Sequence, residues 1–291
     1  MKRIFSLILL CALTLAGCAA KEPPAQIAAT TLPVYEFTAM LCRDTNLTVE
    51  RLITENVSCL HDYTMQVYQM QLIEDADIVV ISGLGLEAFL EDAMSTAYSV
   101  IDASADVHTH NGGHEHDHHE EHQHNHETDP HIWLSPENAI IMSENIYTGL
   151  CTAYPIYQDT FKENLLALMQ QLTALQAYGD ASLSDLHCRE LITFHDGFSY
   201  FAESFDLTIL ESVEEESGSE ASASEIIHLV KLVNDYQLPA IFTETNGSNA
   251  SAGIICAETG CNSYTLDMAM AGSSYFDAMY HNIDTIKEAL G

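Results

Sequence analysis

The chain has 291 residues, of which 43 are acidic and only 9 are basic, so its formal net charge is −34 with histidine neutral. A charge this negative excludes nucleic acid and anionic lipid headgroups as direct partners and favours cations. Hydrophobic residues make up 47% of the chain, which is typical of a globular protein, and the length leaves room for two domains.

The N-terminus has the pattern of a secretory signal. Lys2 and Arg3 precede an apolar run over residues 4–15, which is too short to span a bilayer. The run ends in small residues and Cys18, which resembles the bacterial lipoprotein signal, in which this cysteine is lipidated and becomes the new N-terminus. We expect residues 1–17 to be removed and residues 18–26 to tether an extracytoplasmic protein to the cell membrane through Cys18. The alternative is an ordinary cleaved signal that leaves Cys18 free.

Six further cysteines would then lie in a compartment where disulfides persist. Their proximity at the ends of predicted elements favours the pairs Cys42–Cys59, Cys151–Cys188 and Cys256–Cys261. A zinc site made of thiolates is the alternative, but no pair has the C-x₂-C spacing of a zinc ribbon.

Short apolar runs alternate with amphipathic stretches, which predicts parallel βαβ units. We therefore predict an α/β fold in which two lobes, residues 27–154 and 183–291, each contain a parallel sheet flanked by helices. A long helical pattern begins at Pro155, and residues 155–182 are predicted to link the lobes. Strands are predicted at 26–31, 47–53, 78–82, 99–102, 190–194, 207–211, 240–243 and 263–266. Helices are predicted at 33–41, 64–75, 87–96, 136–151, 197–204, 224–236 (with Ser224 as N-cap), 248–258 and 275–290.

Residues 106–128 form a tract of histidine interleaved with acidic residues. The tract has no apolar residue after Val107, so it cannot bury a core and should remain a loop. Imidazole and carboxylate groups bind divalent metals, which predicts an auxiliary, weak metal-collecting segment. Its histidines are His108, His110, His114, His116, His118, His119, His122, His124 and His126.

Four polar residues fall where a parallel sheet binds its ligands, at the carboxyl ends of strands or beside them. They are His61, His131, His195 and Asp267, two from each predicted lobe. Three imidazoles and one carboxylate suit a four-coordinate zinc ion in the cleft between the lobes. Asp267 or water would take the fourth position. Glu244 also ends a strand, and we predict that it orients a histidine.

The motifs around these positions carry a family resemblance over nearly the whole mature chain. They are His61-Asp62-Tyr63, Gly83-Leu84-Gly85-Leu86-Glu87, Asp129-Pro130-His131-Ile132-Trp133-Leu134-Ser135-Pro136, Phe194-His195-Asp196 and Phe242-Thr243-Glu244. In this order they resemble the metal-binding solute-binding proteins of zinc and manganese ABC transporters, the cluster A-I family.

The resemblance implies that His61, His131 and His195 bind the metal and that Asp267 completes or approaches the site. Manganese members carry a carboxylate where this chain has His195, so the resemblance implies the zinc subgroup, with Zn²⁺ as the transported ligand. It further implies a monomeric receptor whose partners are a membrane permease and its ATPase.

Three other functions stay open at this point: a manganese or iron receptor, a surface adhesin with the same fold, and a zinc hydrolase. The tract contains H-E-x-x-H at His114 to His118 and H-x-x-E-H at His118 to His122. In a tract this rich in His and Glu such matches arise by chance, and the protease mechanism needs both histidines on an ordered helix. We therefore expect a binding protein and not an enzyme.

Overall fold

The computed structural model describes residues 26–55, 57, 60, 63–109, 128–213, 221–245 and 247–291. Several predicted features lie outside these residues. They are the signal segment, Cys18 and nearly all of the tether, Cys59, His61, the tract histidines from His110 to His126, and most of the acidic stretch before the 224–236 helix.

The first lobe is built on a four-stranded parallel sheet. Its strands are Ile27–Ala29 (β1), Val49–Arg51 (β2), Ile78–Ile81 (β3) and Val100–Asp102 (β4), in the order β2-β1-β3-β4. The central strands β1 and β3 are apolar and almost entirely buried, as expected of strands covered on both faces. The helices of this lobe are Leu32–Leu41 (α1), Val67–Asp75 (α2), Glu91–Met94 (α3) and Pro136–Ala153 (α4).

The second lobe repeats this topology. Its strands are Glu190–Thr193 (β5), Thr208–Ser212 (β6), Ala240–Glu244 (β7) and Asn262–Leu266 (β8), all parallel and in the order β6-β5-β7-β8. The long helix between the lobes is Gln158–Ser182 (α5), and the helices of the second lobe are Ser199–Ser204 (α6), Ala223–Tyr236 (α7), Ala250–Thr259 (α8) and Tyr275–Leu290 (α9). Because β5 and β7 are neighbours, residues that follow them lie side by side at one edge of the sheet.

Helix α5 packs against α1 and α4 of the first lobe and α9 of the second. Its buried residues recur every three or four positions, which places them on one face of the helix. They are Phe161, Leu165, Leu168, Leu172, Leu175 and Gly179. A side chain at Gly179 would lie 2.1 Å from the ring of Phe205, so a glycine is required for this close approach.

The larger hydrophobic core runs through both lobes. It contains β1 and β3, the buried face of α5 and the apolar side of α9, and the rings of Phe37 and Tyr275 meet in it edge to face, 4.9 Å apart. A second, smaller core belongs to the second lobe alone and includes Phe194, Ile241 and Ile255.

The segment after β8 is fastened to the first lobe. The indole N–H of the buried Trp133 donates to Met268 O at 2.8 Å, and the Tyr275 hydroxyl donates to Trp133 O at 2.8 Å. The Leu32 amide donates to Met270 O at 3.3 Å. The chain of the second lobe therefore crosses back onto the first at this segment.

The predicted fold class, two parallel α/β sheets with a long linking helix, is confirmed. The bounds predicted for the lobes stay a prediction. No helix among the described residues has the length and apolar character needed to cross a membrane.

Two local predictions were wrong. The helix expected at 87–96 is a 3₁₀ turn, Ala88–Leu90, followed by the short α3, and the Glu87 carboxylate that precedes them accepts the amide hydrogens of Ser82 and Gly83. Helix α7 is capped by Ser222 and not by Ser224. The Ser222 hydroxyl accepts from the Glu225 amide, and the Glu225 carboxylate accepts from the Ser222 amide, which is a capping box.

Five of the six cysteines predicted to pair are described, and all five are free thiols in this structure, so the predicted Cys256–Cys261 bond is not formed in it. The Cys188 sulfur faces Glu190, and Cys151 contacts Tyr147 on the same helix, so the predicted Cys151–Cys188 bond is not formed. Cys42 is buried in the larger core, and its predicted partner lies outside the described residues.

Candidate metal centre

His131 is fixed by the turn that contains it. The residues after it form a buried 3₁₀ turn, Ile132–Leu134, which anchors the backbone in the larger core. One carboxylate oxygen of Asp129 accepts the His131 amide hydrogen at 2.9 Å and lies 2.8 Å from Nδ1 of the ring. An Nδ1–H donated to this carboxylate leaves the lone pair on Nε2, which is the atom that can bind a metal.

His195 lies two residues beyond the end of β5. Its carbonyl accepts the hydroxyl hydrogen of Thr193 at 3.1 Å, which holds the loop to the strand. Nδ1 of its ring lies 3.5 Å from the carboxylate of Glu244, the buried last residue of the neighbouring strand β7. This is the contact predicted for Glu244, and it again leaves Nε2 directed away from the carboxylate.

The two histidines meet across the lobes. Nε2 of His131 lies 3.5 Å from Nε2 of His195, and the rings are nearly perpendicular, at 85°. A tetrahedral zinc ion with Zn–N bonds of 2.0–2.1 Å separates two of its nitrogen ligands by about 3.4 Å. The observed spacing therefore suits one ion bound by both imidazoles.

Trp133 and Gly197 lie next to the histidine pair. The ring of Trp133 lies 5.4 Å from that of His131, edge to face. A side chain at Gly197 would lie 2.6 Å from the Met268 methyl and 2.9 Å from atoms of both histidine rings. The backbone at Gly197 therefore lies close against both imidazoles, and a glycine is required there.

Asp267 is held at the end of β8. The side chain of Asn282 accepts its amide hydrogen and donates to its carbonyl, each at 2.7 Å, and one carboxylate oxygen accepts the Ala269 amide hydrogen at 2.8 Å. Within the described part of the chain, no three His, Cys, Asp or Glu side chains come together as a metal-binding group. The structure thus brings His131 and His195 together, and the place of Asp267 at the metal stays a prediction.

His61 lies outside the described residues, but its neighbours are anchored. Leu60 is buried in the larger core, and the Tyr63 amide donates to Leu60 O at 3.1 Å. The Tyr63 hydroxyl donates to Glu55 at 2.7 Å. The loop that carries His61 is therefore attached to the first lobe on both sides.

His108, the first histidine of the tract, is clamped at the surface. The buried side chain of Asn138 accepts its amide hydrogen and donates to its carbonyl, each at 3.0 Å. Its ring Nε2 lies 3.5 Å from the carboxylate of Glu203 on α6. At the other end of the tract, the hydroxyl of Tyr200, also on α6, donates to Asp129 O at 2.9 Å. Both ends of the tract are thus held beside the helix that follows His195.

Sequence reasoning missed two carboxylates. Asp129, two residues before His131, orients that ring, and an acidic residue so close to a candidate ligand is the signal that was available. Glu87 accepts hydrogen bonds from Thr30, Ser82 and Gly83, which joins the ends of β1 and β3. Burial raises the pKa of Glu87, although these three hydrogen bonds act in the opposite direction.

Comparison with known proteins gives concordant matches. A family model described as "ZnuA: Zinc-uptake complex component A periplasmic" matches residues 27–289. The chain is 32% identical over 307 residues to the zinc-binding lipoprotein AdcA of Streptococcus pneumoniae serotype 4, covering 99% of this chain and 61% of that relative. It thus spans less than two thirds of that relative's length.

Solved structures agree. The Zn(II)-bound ZnuA-like domain of Streptococcus pneumoniae AdcA superposes with a TM-score of 0.76 at 27% identity, covering 91% of this chain and 98% of the domain. A crystal structure of ZnuA superposes with a TM-score of 0.80 at 24% identity, covering 92% of this chain and all of the other, and shows that the fold is shared.

Proposed function

We propose that this chain, which belongs to the ZnuA family of periplasmic zinc-uptake components, is an extracytoplasmic receptor that binds Zn²⁺ and delivers it to an ABC transporter. One observation carries the proposal. His131 and His195 come from different lobes, their Nε2 atoms lie 3.5 Å apart, and a buried carboxylate backs each ring.

In this proposal His131, His195 and His61 bind the ion through neutral imidazoles, and Asp267 or water takes the fourth position. Asp129 and Glu244 hold the two described rings in the tautomer that presents Nε2, and they stabilise the positive charge that the rings share with the bound ion. A set of imidazoles favours zinc over manganese, which prefers carboxylate and carbonyl oxygen.

Binding is linked to the arrangement of the lobes, since one described ligand comes from each. An ion that bonds both rings stabilises the closed arrangement, and parting the lobes separates the ligands and releases the ion. The receptor would present its cargo in this way to a membrane permease driven by an ATPase, while a lipid on Cys18 keeps it at the membrane.

The histidine tract collects zinc near the cleft. Its first histidine, His108, is held beside α6, and its last residues lead directly to Asp129 and His131. Ions bound weakly along the tract would thus be concentrated close to the tight site. Binding, and not hydrolysis, is the role we propose, and it agrees with the names of the relatives.

Calorimetric titration with Zn²⁺ and Mn²⁺ tests the proposal on the soluble chain that begins after Cys18. The double variant His131→Ala, His195→Ala should lose the tight zinc site and keep the weak ones. His281→Ala, an exposed histidine on α9, is the matched control and should bind as the wild type does. Retention of the tight site by the double variant, or equal affinity for manganese, would contradict the proposal.

A further inference from the structure

We propose that Cys256 and Cys261 are a modification site, at which an intramolecular disulfide forms in the oxidised protein. Their sulfur atoms lie 3.4 Å apart in the free-thiol form. The proposal does not depend on zinc binding, because this pair is distinct from the histidine site.

The backbone brings the two thiols together. Cys256 lies in the last turn of α8, and the helix ends at Gly260, whose left-handed φ of +81° reverses the chain toward β8. The Gly260 amide donates to Cys256 O at 2.9 Å, and the Cys261 amide donates to the Thr259 hydroxyl at 3.3 Å. The cap of the helix therefore fixes both residues in a position from which a small rotation of the side chains closes the bond.

The sulfur atoms of Cys151 and Cys188 have contacts other than a second thiol. Cys188 is directed toward Glu190, and Cys151 contacts Tyr147 on its own helix. Among the described cysteines, Cys256 and Cys261 are thus the pair whose sulfur atoms are in contact.

The reaction is a thiol–disulfide exchange with an external disulfide, such as an oxidoreductase of the exporting compartment or oxidised glutathione. The half-buried Cys256 attacks that disulfide, forming a mixed disulfide and releasing one thiol. The buried Cys261 then attacks the sulfur of Cys256, and the second thiol leaves. Two S–H bonds are lost, one S–S bond forms, and the oxidant takes up two electrons and two protons.

The surroundings of Cys256 set the rate at which the bond forms. Burial, and then the hydrogen bond with Cys261, raise the pKa of the Cys256 thiol to about 12, so uncatalysed exchange is slow at neutral pH and speeds up as pH rises.

The bond would join α8 to β8 at the edge of the smaller core, to which Cys261 itself belongs. That core also contains Phe194, the residue before His195, and Ile241 of β7, the strand that ends at Glu244. The disulfide would therefore stabilise the side of the second lobe that supports the histidine site.

The test uses the mature chain, exported to an oxidising compartment, purified without reductant and kept with a chelator so that zinc cannot occupy the thiols. After denaturation and alkylation, mass analysis of the peptide with both residues should show two fewer hydrogens and no label. Label on both cysteines would overturn the proposal.

Thermal unfolding gives a second readout, with Cys42→Ala present in every protein compared, including the one called wild type, so that the predicted Cys42–Cys59 bond contributes nothing to the reductant response. Reductant should lower the wild-type Tm by about 5 °C, as expected for closing a short loop. Cys256→Ser and Cys261→Ser should each match this loss, and the double variant should lose no more and should not respond to reductant. The control Cys151→Ser, Cys188→Ser should keep the full response. A reductant response in the double variant, or none in the control, would overturn the proposal.

Discussion

Replacing Asp129 with Asn tests whether the carboxylate behind His131 tunes the metal site. One oxygen of Asp129 accepts both the amide hydrogen of His131 and the Nδ1–H of its ring, at 2.9 and 2.8 Å, and both side chains are buried. The amide of Asn is nearly isosteric and keeps an oxygen acceptor, so the ring should stay in place while the negative charge is lost. Hydrogen bonds to a charged group contribute about 1 to 1.5 kcal/mol more than neutral ones. Zinc affinity should therefore fall about tenfold.

Affinity is measured by competition with a chromogenic chelator, and the Tm of the zinc-free protein is measured alongside it. The control Asp206→Asn, at an exposed carboxylate paired with Arg189, should leave affinity unchanged. Glu244→Gln should cost less than Asp129→Asn, because its contact with His195 is longer, at 3.5 Å. Unchanged affinity in Asp129→Asn, with a normal Tm, would refute the reasoning that the buried carboxylate acts on the ligand.

Two further outcomes follow from other features. Deleting residues 109–125 should remove the weak zinc sites seen by calorimetry and leave the tight one; loss of the tight site would mean that the tract and the cleft are not separate. The pKa of the buried Glu87 is raised above its ordinary value of 4.5, so its neutral form is favoured by folding. Its contribution to stability is fully present below the unfolded pKa and is lost as pH rises through the raised, folded pKa. The urea midpoint of the wild type should therefore decline over that range relative to Glu87→Gln, and parallel profiles would contradict the shift.

The sequence could predict that His195 and Glu244 lie side by side for one physical reason. Residues at the carboxyl ends of parallel strands collect at one edge of a sheet; His195 follows β5, and Glu244 ends the neighbouring strand β7. The order of strands places a histidine such as His195 at the edge of the sheet, but it does not show which hydrogen bonds hold the imidazole ring in position.

The role of Asp129 could not be predicted from the order of strands. It depends on a turn of the chain that places the Asp129 carboxylate next to both the amide and the ring of His131. The pattern over 87–96 predicts one continuous helix, whereas the structure has a 3₁₀ turn and a short helix there. The pattern also does not show that the side chain of Glu87 is buried and accepts hydrogen bonds from the amides of Ser82 and Gly83. Ser224 was chosen as a cap on residue type alone, whereas the reciprocal bonds of Ser222 with Glu225 decide the start of α7.

The continuous larger core bears on how this protein unfolds and how it could have evolved. Phe37, Trp133 and Tyr275 are buried where the two sheets share one interior, so either lobe alone would expose a broad apolar face. The lobes should consequently melt together in one cooperative transition and not as two independent units. The same coupling limits recombination, because a lobe transplanted from a relative would have to match this interior as well as the metal ligands.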